Sequence, residues 1–335
     1  MENIATVTAV HRDRYELSMD TGTTTEIFYG RLKAAAFYNS TEIVPFPTVG
    51  DRVMVSQNTG GDSLILEVLE RKSVFMRLNA TQGLPDQAVA ANFDYVFITM
   101  SCNKDFHPAK LERFLTAAWQ SGGTPVILLT KSDLMQERER ILAQVSAKAA
   151  GVDTYCISAY TGEGISQLEK YFVSGAVIVL LGSSGVGKSS LVNVLLGEEQ
   201  MATCSIRESD SQGRHTTTYK QMFDIPDRIL LPDGNTIKGG GRIIDTPGIR
   251  KLVMGEGTDG IDLTFEDIAA LASQCRFSDC RHQTEPGCAV KQALADGMLD
   301  IKHWKMYLSL QKEEAYAKAR QQIITRRMEK AKRRR

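Results

Sequence analysis

A strand-like apolar run, AVIVLL at 176–181, leads directly into GSSGVGKSS at 182–190, and the helix-forming SLVNVLLG follows. That order of buried strand, glycine-rich turn and helix constrains the fold more tightly than any other stretch, because it is the layout of a phosphate-binding loop. Gly182, Gly187, Lys188 and Ser189 fit the pattern Gly-x4-Gly-Lys-Ser. Glycines let the backbone close around phosphate oxygens, so that amide N–H groups and the helix N-terminus face the negative charge. Gly182, Ser183, Ser184, Gly185, Val186, Gly187, Lys188, Ser189 and Ser190 are therefore the expected phosphate cradle. Lys188 is expected to bridge the β and γ phosphates, and Ser189 to offer its hydroxyl to Mg²⁺.

Such a loop needs a mostly parallel sheet around it, and the flanking sequence supplies one. Apolar runs at 95–101, 125–131, 154–159, 176–182 and 242–248 alternate with the helical patterns PAKLERFLTAAWQSG, QERERILAQVSAKAAG, GISQLEKYF and KSSLVNVLLG. Strands and helices in alternation mean βαβ units covered on both faces. Residues 1–72 read differently: IATVTAV, YELSMD, TEIFYGRL, DRVMVSQ and SLILEVLE are short strands between turn-rich stretches, with only KAAAFY hinting at a helix. Five strands in that length suit an OB-like barrel, with an open meander as the alternative. The 335 residues exceed one ordinary domain. The expected class is multidomain α/β: an OB-fold-like barrel domain at 1–72, a P-loop domain at 73–262, and a helical domain with a basic tail at 263–335.

A P-loop alone does not choose between ATP and GTP. RIIDTPG brings Asp245 to the metal side of the site and Gly248 to where a backbone N–H can sense the γ-phosphate. TKSD at 130–133 closes a strand in the place of an Asn-Lys-x-Asp base motif: Asp133 can accept two hydrogen bonds from the N1–H and N2–H₂ edge of guanine, which adenine lacks. The Lys131 stem can lie over the base, and Ser132 completes the motif. Thr130 replaces the usual asparagine, so the loop is expected to lose a bracing amide and to bind nucleotide less tightly. Ser158-Ala159, ending YCISA, resembles the short motif whose backbone supports guanine O6. The order is unusual: TKSD and ISA precede GSSGVGKS, then GRHTTT (213–218), then DTPG, a circular permutation of a GTPase domain. Rewiring of this kind is tolerable where chain ends lie close together. The polar stretch 200–218 is expected to be mobile without γ-phosphate, and Thr216, Thr217 and Thr218 are candidates for Mg²⁺, with Thr217 chosen. Ile249, after DTPG, cannot orient water, so slow intrinsic hydrolysis is expected.

QCRFSDCRHQTEPGCAV sets Cys275, Cys280, His282 and Cys288 within a short span. Three thiolates and an imidazole make a closed tetrahedral Zn²⁺ set, with no open position for catalysis. Cys102 and Cys156 read as core packing, Cys204 as an ordinary small residue, and His11, His107 and His303 as solvated. The chain holds 40 Lys+Arg against 40 Asp+Glu, which excludes a uniformly basic coat. Its last stretch, RQQIITRRMEKAKRRR, nevertheless concentrates eight basic residues against one Glu. That tail reads either as a solvated helix end or as an arm following RNA phosphates. Without a signal pattern or a run long enough to span a bilayer, the expected location is the cytoplasm, with no membrane partner.

The layout of barrel, permuted GTPase and Cys-x4-Cys-x-His-x5-Cys resembles the ribosome small-subunit-dependent GTPase A family (RsgA, also called YjeQ). The resemblance spans essentially the whole chain and includes PTVGDRV (47–53), AANFDYVFI (90–98), GSSGVGKSSL, GRHTTT and DTPGI. It implies hydrolysis of GTP to GDP and phosphate, stimulated by the small (30S) ribosomal subunit and its 16S rRNA, in late maturation of that subunit by a monomer. It also makes His215 the preferred catalytic candidate and tips the tail toward rRNA. The alternatives are a P-loop GTPase in metal delivery or tRNA modification, and a non-catalytic nucleotide-gated RNA-binding module.

Overall fold

A computed structural model of the chain describes residues 2–12, 14–21, 24–34, 45–58, 60–77, 79, 86–102, 106–197, 220–245 and 260–332. The first five strands are β1 (Glu2–Val10), β2 (Tyr15–Asp20), β3 (Thr25–Leu32), β4 (Arg52–Ser56) and β5 (Ser63–Val68). They pair in the order β1-β2-β3-β5-β4, and β4 returns to β1, so the sheet closes into a five-stranded barrel rather than an open meander. Alternation explains the closure: Val53 and Val55 point inward between outward Arg52 and half-buried Met54. With Ala5, Val7, Leu17, Ile65 and Val68 they fill the barrel. Most of KAAAFY lies outside the described residues.

A two-stranded sheet, β6 (Val74–Arg77) with β7 (Gln87–Ala91), precedes the nucleotide domain. The main sheet then builds from β8 (Tyr95–Ser101), β9 (Thr124–Thr130), β10 (Thr154–Ile157), β11 (Val177–Leu181), β12 (Gln221–Asp224) and β15 (Arg242–Asp245), with the hairpin β13 (Arg228–Leu230) and β14 (Thr236–Lys238) outside it. Its order is β10-β9-β8-β11-β15-β12, all parallel except β12, which runs antiparallel to β15. The chain thus lays strands outward from the centre to β10 and then returns to put β11 beside β8. Strands β8, β9 and β11 are buried along nearly their whole length, as covering on both faces requires. Helices α1 (Pro108–Gln120) and α2 (Arg138–Ser146) border one core, including Ile98, Leu111, Leu115 and Ile141. Helix α3 (Lys188–Leu196) borders the other, which includes Phe97, Leu168, Leu191 and Val192.

Three features differ from the sequence expectation. GISQLEKYF forms a 3₁₀ helix at Ile165–Tyr171, not an α-helix. Its buried residues Ile165, Leu168 and Tyr171 recur every third position, the period of a 3₁₀ turn. Strand β12 and the β13–β14 hairpin lie where no strand is expected, being only three or four residues each. Finally, β12 bonds β1 through Ala9 and Gln221, making barrel and nucleotide sheet one continuous eleven-stranded sheet.

The C-terminal helices are α4 (Gly260–Thr264), α5 (Glu266–Ser273), α6 (Ala289–Ala295) and α7 (Ile301–Lys332). Phe265, Ile268, Val290, Trp304 and Leu310 form their core. At 32 residues, α7 is about 48 Å long. It is fastened back along its length: Glu313 pairs with Arg113 of α1, and Arg320 with Asp86 at 2.6 Å. Arg320 is therefore an internal ion-pair partner, not a charge of a free tail. No helix among the described residues is long and apolar enough to cross a membrane.

Candidate functional site

The carboxyl ends of parallel strands are where an open α/β sheet presents its loops to ligands. Here Ser101, Thr130, Ile157, Leu181 and Asp245 end β8, β9, β10, β11 and β15 on that one edge. Directly beyond β11, the backbone of Gly182 passes so close to β8 that a Cβ there would lie 2.3 Å from Thr99 Oγ1. Gly185 and Gly187 take φ of 79° and 98°, the left-handed values that let the loop curl before α3 begins at Lys188. The Lys188 ammonium donates to the Gly182 and Ser183 carbonyls at 2.9 and 2.6 Å. Ser189 and Ser190 follow it in the first turn of α3, and Ser183, Ser184 and Val186 lie in the loop itself.

Asp245 is buried, and burial raises its carboxyl above the usual range while Lys188 opposes the rise. Burial likewise lowers the Lys188 ammonium, with Asp245 opposing. Each charge thus sits where water serves it poorly. The set suits a ligand that brings both signs: phosphate oxygens for Lys188, and a divalent cation held by Asp245 and the Ser189 hydroxyl.

The base-motif candidate lies beside this loop. Thr130 Oγ1 donates to the Val186 carbonyl at 2.5 Å, with the Met100 carbonyl farther at 3.2 Å. This corrects the expectation that replacing asparagine removes the brace: the shorter hydroxyl reaches the P-loop because β9 ends right against it. Lys131 adopts a left-handed backbone (φ 60°), and its Nζ donates to the Gly185 carbonyl at 2.9 Å. Ser132 is buried, whereas Asp133 is exposed at the end of the motif.

From the other side comes the loop after β10. Ser158 is buried, and its Oγ accepts from the amides of Tyr160 and Thr161, both at 3.2 Å; Ala159 lies between. The same loop carries Glu163, which no motif in the sequence marks. Its Oε2 accepts from Ser132 Oγ at 2.7 Å and its Oε1 from Arg138 Nη1 at 3.1 Å. The legible signal was the flanking pair Gly162 and Gly164, both with positive φ. His215, Thr216, Thr217, Thr218, Gly248, Ile249 and Cys204, together with the stretch 200–218, lie outside the described residues.

Around α6 the Cys/His cluster assembles as expected from spacing. The ligand atoms of Cys275, Cys280, His282 and Cys288 all lie within 4.8 Å of one another. Cys275 and Cys288 sulfurs are 3.8 Å apart, and His282 Nδ1 is 3.6 Å from the first and 3.3 Å from the second. A tetrahedron with metal–sulfur bonds of about 2.3 Å has edges of about 3.8 Å, so this donor set fits Zn²⁺. The His282 ring stands edge-on to Trp304, centroids 5.8 Å apart, which ties the cluster to α7.

One histidine departs from expectation. His303 is not solvated: it is buried between the nucleotide and C-terminal cores, with Nδ1 2.6 Å from Glu112 of α1 and Nε2 3.1 Å from Asp267 of α5. Glu112 also pairs with Lys148. Cys102 and Cys156 are buried in the sheet core as expected.

Residues 68–254 match the sequence model of a family described as RsgA GTPase. Among named relatives, the chain is 45% identical over 310 residues to small ribosomal subunit biogenesis GTPase RsgA 2 of Listeria monocytogenes, covering 92% of this chain and 83% of that one. It is 39% identical over 322 residues to the protein of the same name in Lactiplantibacillus plantarum, covering 96% and 85%. Of solved structures, YjeQ from Thermotoga maritima superposes with a TM-score of 0.63 at 24% identity, covering 94% of this chain and 99% of its own. YloQ, described as a circularly permuted GTPase, superposes at 0.61 and 24% identity over 96% of each.

Proposed function

Because the chain belongs to the RsgA GTPase family, we propose that it binds the small (30S) ribosomal subunit through 16S rRNA, acts in its late maturation, and hydrolyses GTP with turnover stimulated by that subunit. It is a GTPase, a hydrolase acting on GTP, in a family whose members are named for small-subunit biogenesis. The observation that carries the reading is the meeting of Lys188, Asp245 and the Thr130–Asp133 loop on one edge of a single sheet.

In this reading the amides of 182–190 hold the β and γ phosphates and Lys188 bridges them. Mg²⁺, held by Ser189, Asp245 and Thr217, supplies charge neutralisation at the phosphates when bound. Gly248 senses the γ-phosphate, Asp133 reads the guanine edge over the Lys131 stem, and Ser158-Ala159 supports O6. Ile249 offers no group to orient water, and the family resemblance gives the catalytic role to His215, with the ribosomal subunit stimulating turnover. Cys275, Cys280, His282 and Cys288 hold a structural Zn²⁺.

Two surfaces support RNA binding. On the barrel, Ile27, Tyr29 and Leu64 are exposed, and the Arg14 guanidinium lies 3.9 Å over the Tyr29 ring. Apolar and aromatic groups beside arginine form a platform on which bases stack. Toward the end of α7, exposed Arg326 and Arg327 add phosphate contacts, and the tail's remaining basic side chains, from Lys330 on, lie outside the described ones. We assign RNA binding to 1–72, hydrolysis to 73–262 and zinc-dependent docking to 263–335, in a cytoplasmic monomer.

The test is GTP turnover with and without purified 30S subunits, for the native chain and His215→Ala. Stimulation well above about tenfold, equivalent to about 1.4 kcal/mol of barrier, is expected, with most of it lost in the variant. Stimulation below that threshold would overturn the reading.

A further inference from the structure

We propose that Glu163 is a positioning residue for guanine recognition, clasping Ser132 and Arg138 so that Asp133 between them is held at the base edge. This rests on the reading of TKSD as the base motif.

The base loop is pinned at its start, where Thr130 and Lys131 bond the P-loop carbonyls of Val186 and Gly185. Its backbone turns tightly, with the Leu134 amide donating to the Lys131 carbonyl and the Met135 amide to that of Ser132. The side chains of Asp133 and Leu134 are nonetheless exposed. The far side of the loop is held by Glu163, whose two oxygens divide between Ser132 Oγ at 2.7 Å and Arg138 Nη1 at 3.1 Å. Those two partners bracket Asp133 in sequence.

Glu163 is itself set in place by its backbone. The Ser158 amide donates to the Glu163 carbonyl at 2.9 Å, and the Gly162 amide to the Ser158 carbonyl at 2.9 Å. Gly162 and Gly164 flank it with φ of 85° and 74°. A Cβ on Gly164 would lie 2.1 Å from the Cys156 carbonyl oxygen, so the chain makes this turn only with glycine there. The result is a carboxylate presented from the Ser158-Ala159 loop to the TKSD loop. It links two segments that would otherwise face the base from separate strands. A carboxylate suits the task because it accepts from a hydroxyl and pairs with a guanidinium at once. A glutamine keeps the first bond and loses the charge pairing.

The experiment uses the full chain and competes a fluorescent GDP with GDP or with inosine diphosphate, whose base lacks the 2-amino group that Asp133 would accept from. The native chain should prefer GDP. Glu163→Ala should weaken GDP about fivefold and inosine diphosphate less, so that the preference narrows. At saturating GTP its kcat should stay near native while KM rises. Glu163→Gln should restore most of the preference, and Ser132→Ala should match Glu163→Ala, with the double variant no worse than either. An equal loss for both nucleotides, or no change in Glu163→Ala, would overturn the proposal. A native chain that binds both nucleotides alike would overturn the base-motif reading and this proposal with it.

Discussion

Thr130 stands where base-reading loops usually carry asparagine, and its hydroxyl spans the gap to the Val186 carbonyl at 2.5 Å. A threonine donor is shorter than an amide, so the substitution works only because β9 ends against the P-loop. Removing it leaves a buried carbonyl without its partner, and that loss costs more than a bond exchanged with water. Thr130→Val, which keeps the shape, should therefore weaken GDP about five- to tenfold by calorimetry. An unchanged affinity would show that the Lys131 bond to Gly185 suffices. The sequence marked Thr130 but not this contact, because its acceptor lies 56 residues further along the chain. The buried place of His303 is illegible for the same reason. Nothing near position 303 announces a partner, and Glu112 is 191 residues away.

Elements that were easy to recognise carry their cause locally. Strands β8, β9 and β11 are continuous apolar runs because helices cover both faces, and the P-loop is a contiguous motif. Strand β12 is not legible in the sequence because it has four residues and owes its conformation to the neighbours it pairs with, β15 and β1. Helix α4 depends on a neighbour in another way. Gly260 lies so near α1 that a Cβ would stand 2.3 Å from Gln120 Cγ, 2.8 Å from the Gln120 amide nitrogen and 2.9 Å from the Thr116 carbonyl oxygen. The Gln120 side chain can yield, but the backbone of α1 cannot. Gly260→Val should accordingly cost about 1–3 kcal/mol in denaturant unfolding by forcing the two helices apart. A variant as stable as the native chain would mean that α4 is free to shift.

Across the whole molecule, the nucleotide and C-terminal units are joined by charge as well as by packing. His303 faces Glu112 on α1 and Asp267 on α5, and Lys148 faces the same Glu112. Burial works against the imidazolium, but hydrogen bonds to Asp267 and Glu112 outweigh it and push His303 up to about 9. A pKa raised from 6.5 means that the protonated form stabilises the folded state fully below about 6.5. That contribution is lost as pH rises through about 9. The thermal midpoint should thus fall between pH 6.5 and 9.5 in the native chain and fall less in His303→Gln. Parallel profiles for the two proteins would show that the joint does not depend on this proton.

The barrel is attached through two contacts. One seam is the Ala9–Gln221 bridge between β1 and β12. At the other, the Asn92 side chain donates to the Gly50 carbonyl at 2.9 Å and Thr48 Oγ1 to the Val89 carbonyl at 3.0 Å. Gly50, at φ 89°, comes so close that a Cβ would stand 2.0 Å from the Ala91 oxygen. The Gly50 amide also donates to the Val7 carbonyl of β1 at 2.9 Å, so the two contacts adjoin along one edge of the barrel. Together they set how far the barrel stands from the carboxyl edge of the nucleotide sheet. Under the proposed function, an RNA surface docked on the barrel would therefore lie at a distance from the nucleotide loops that this one edge determines.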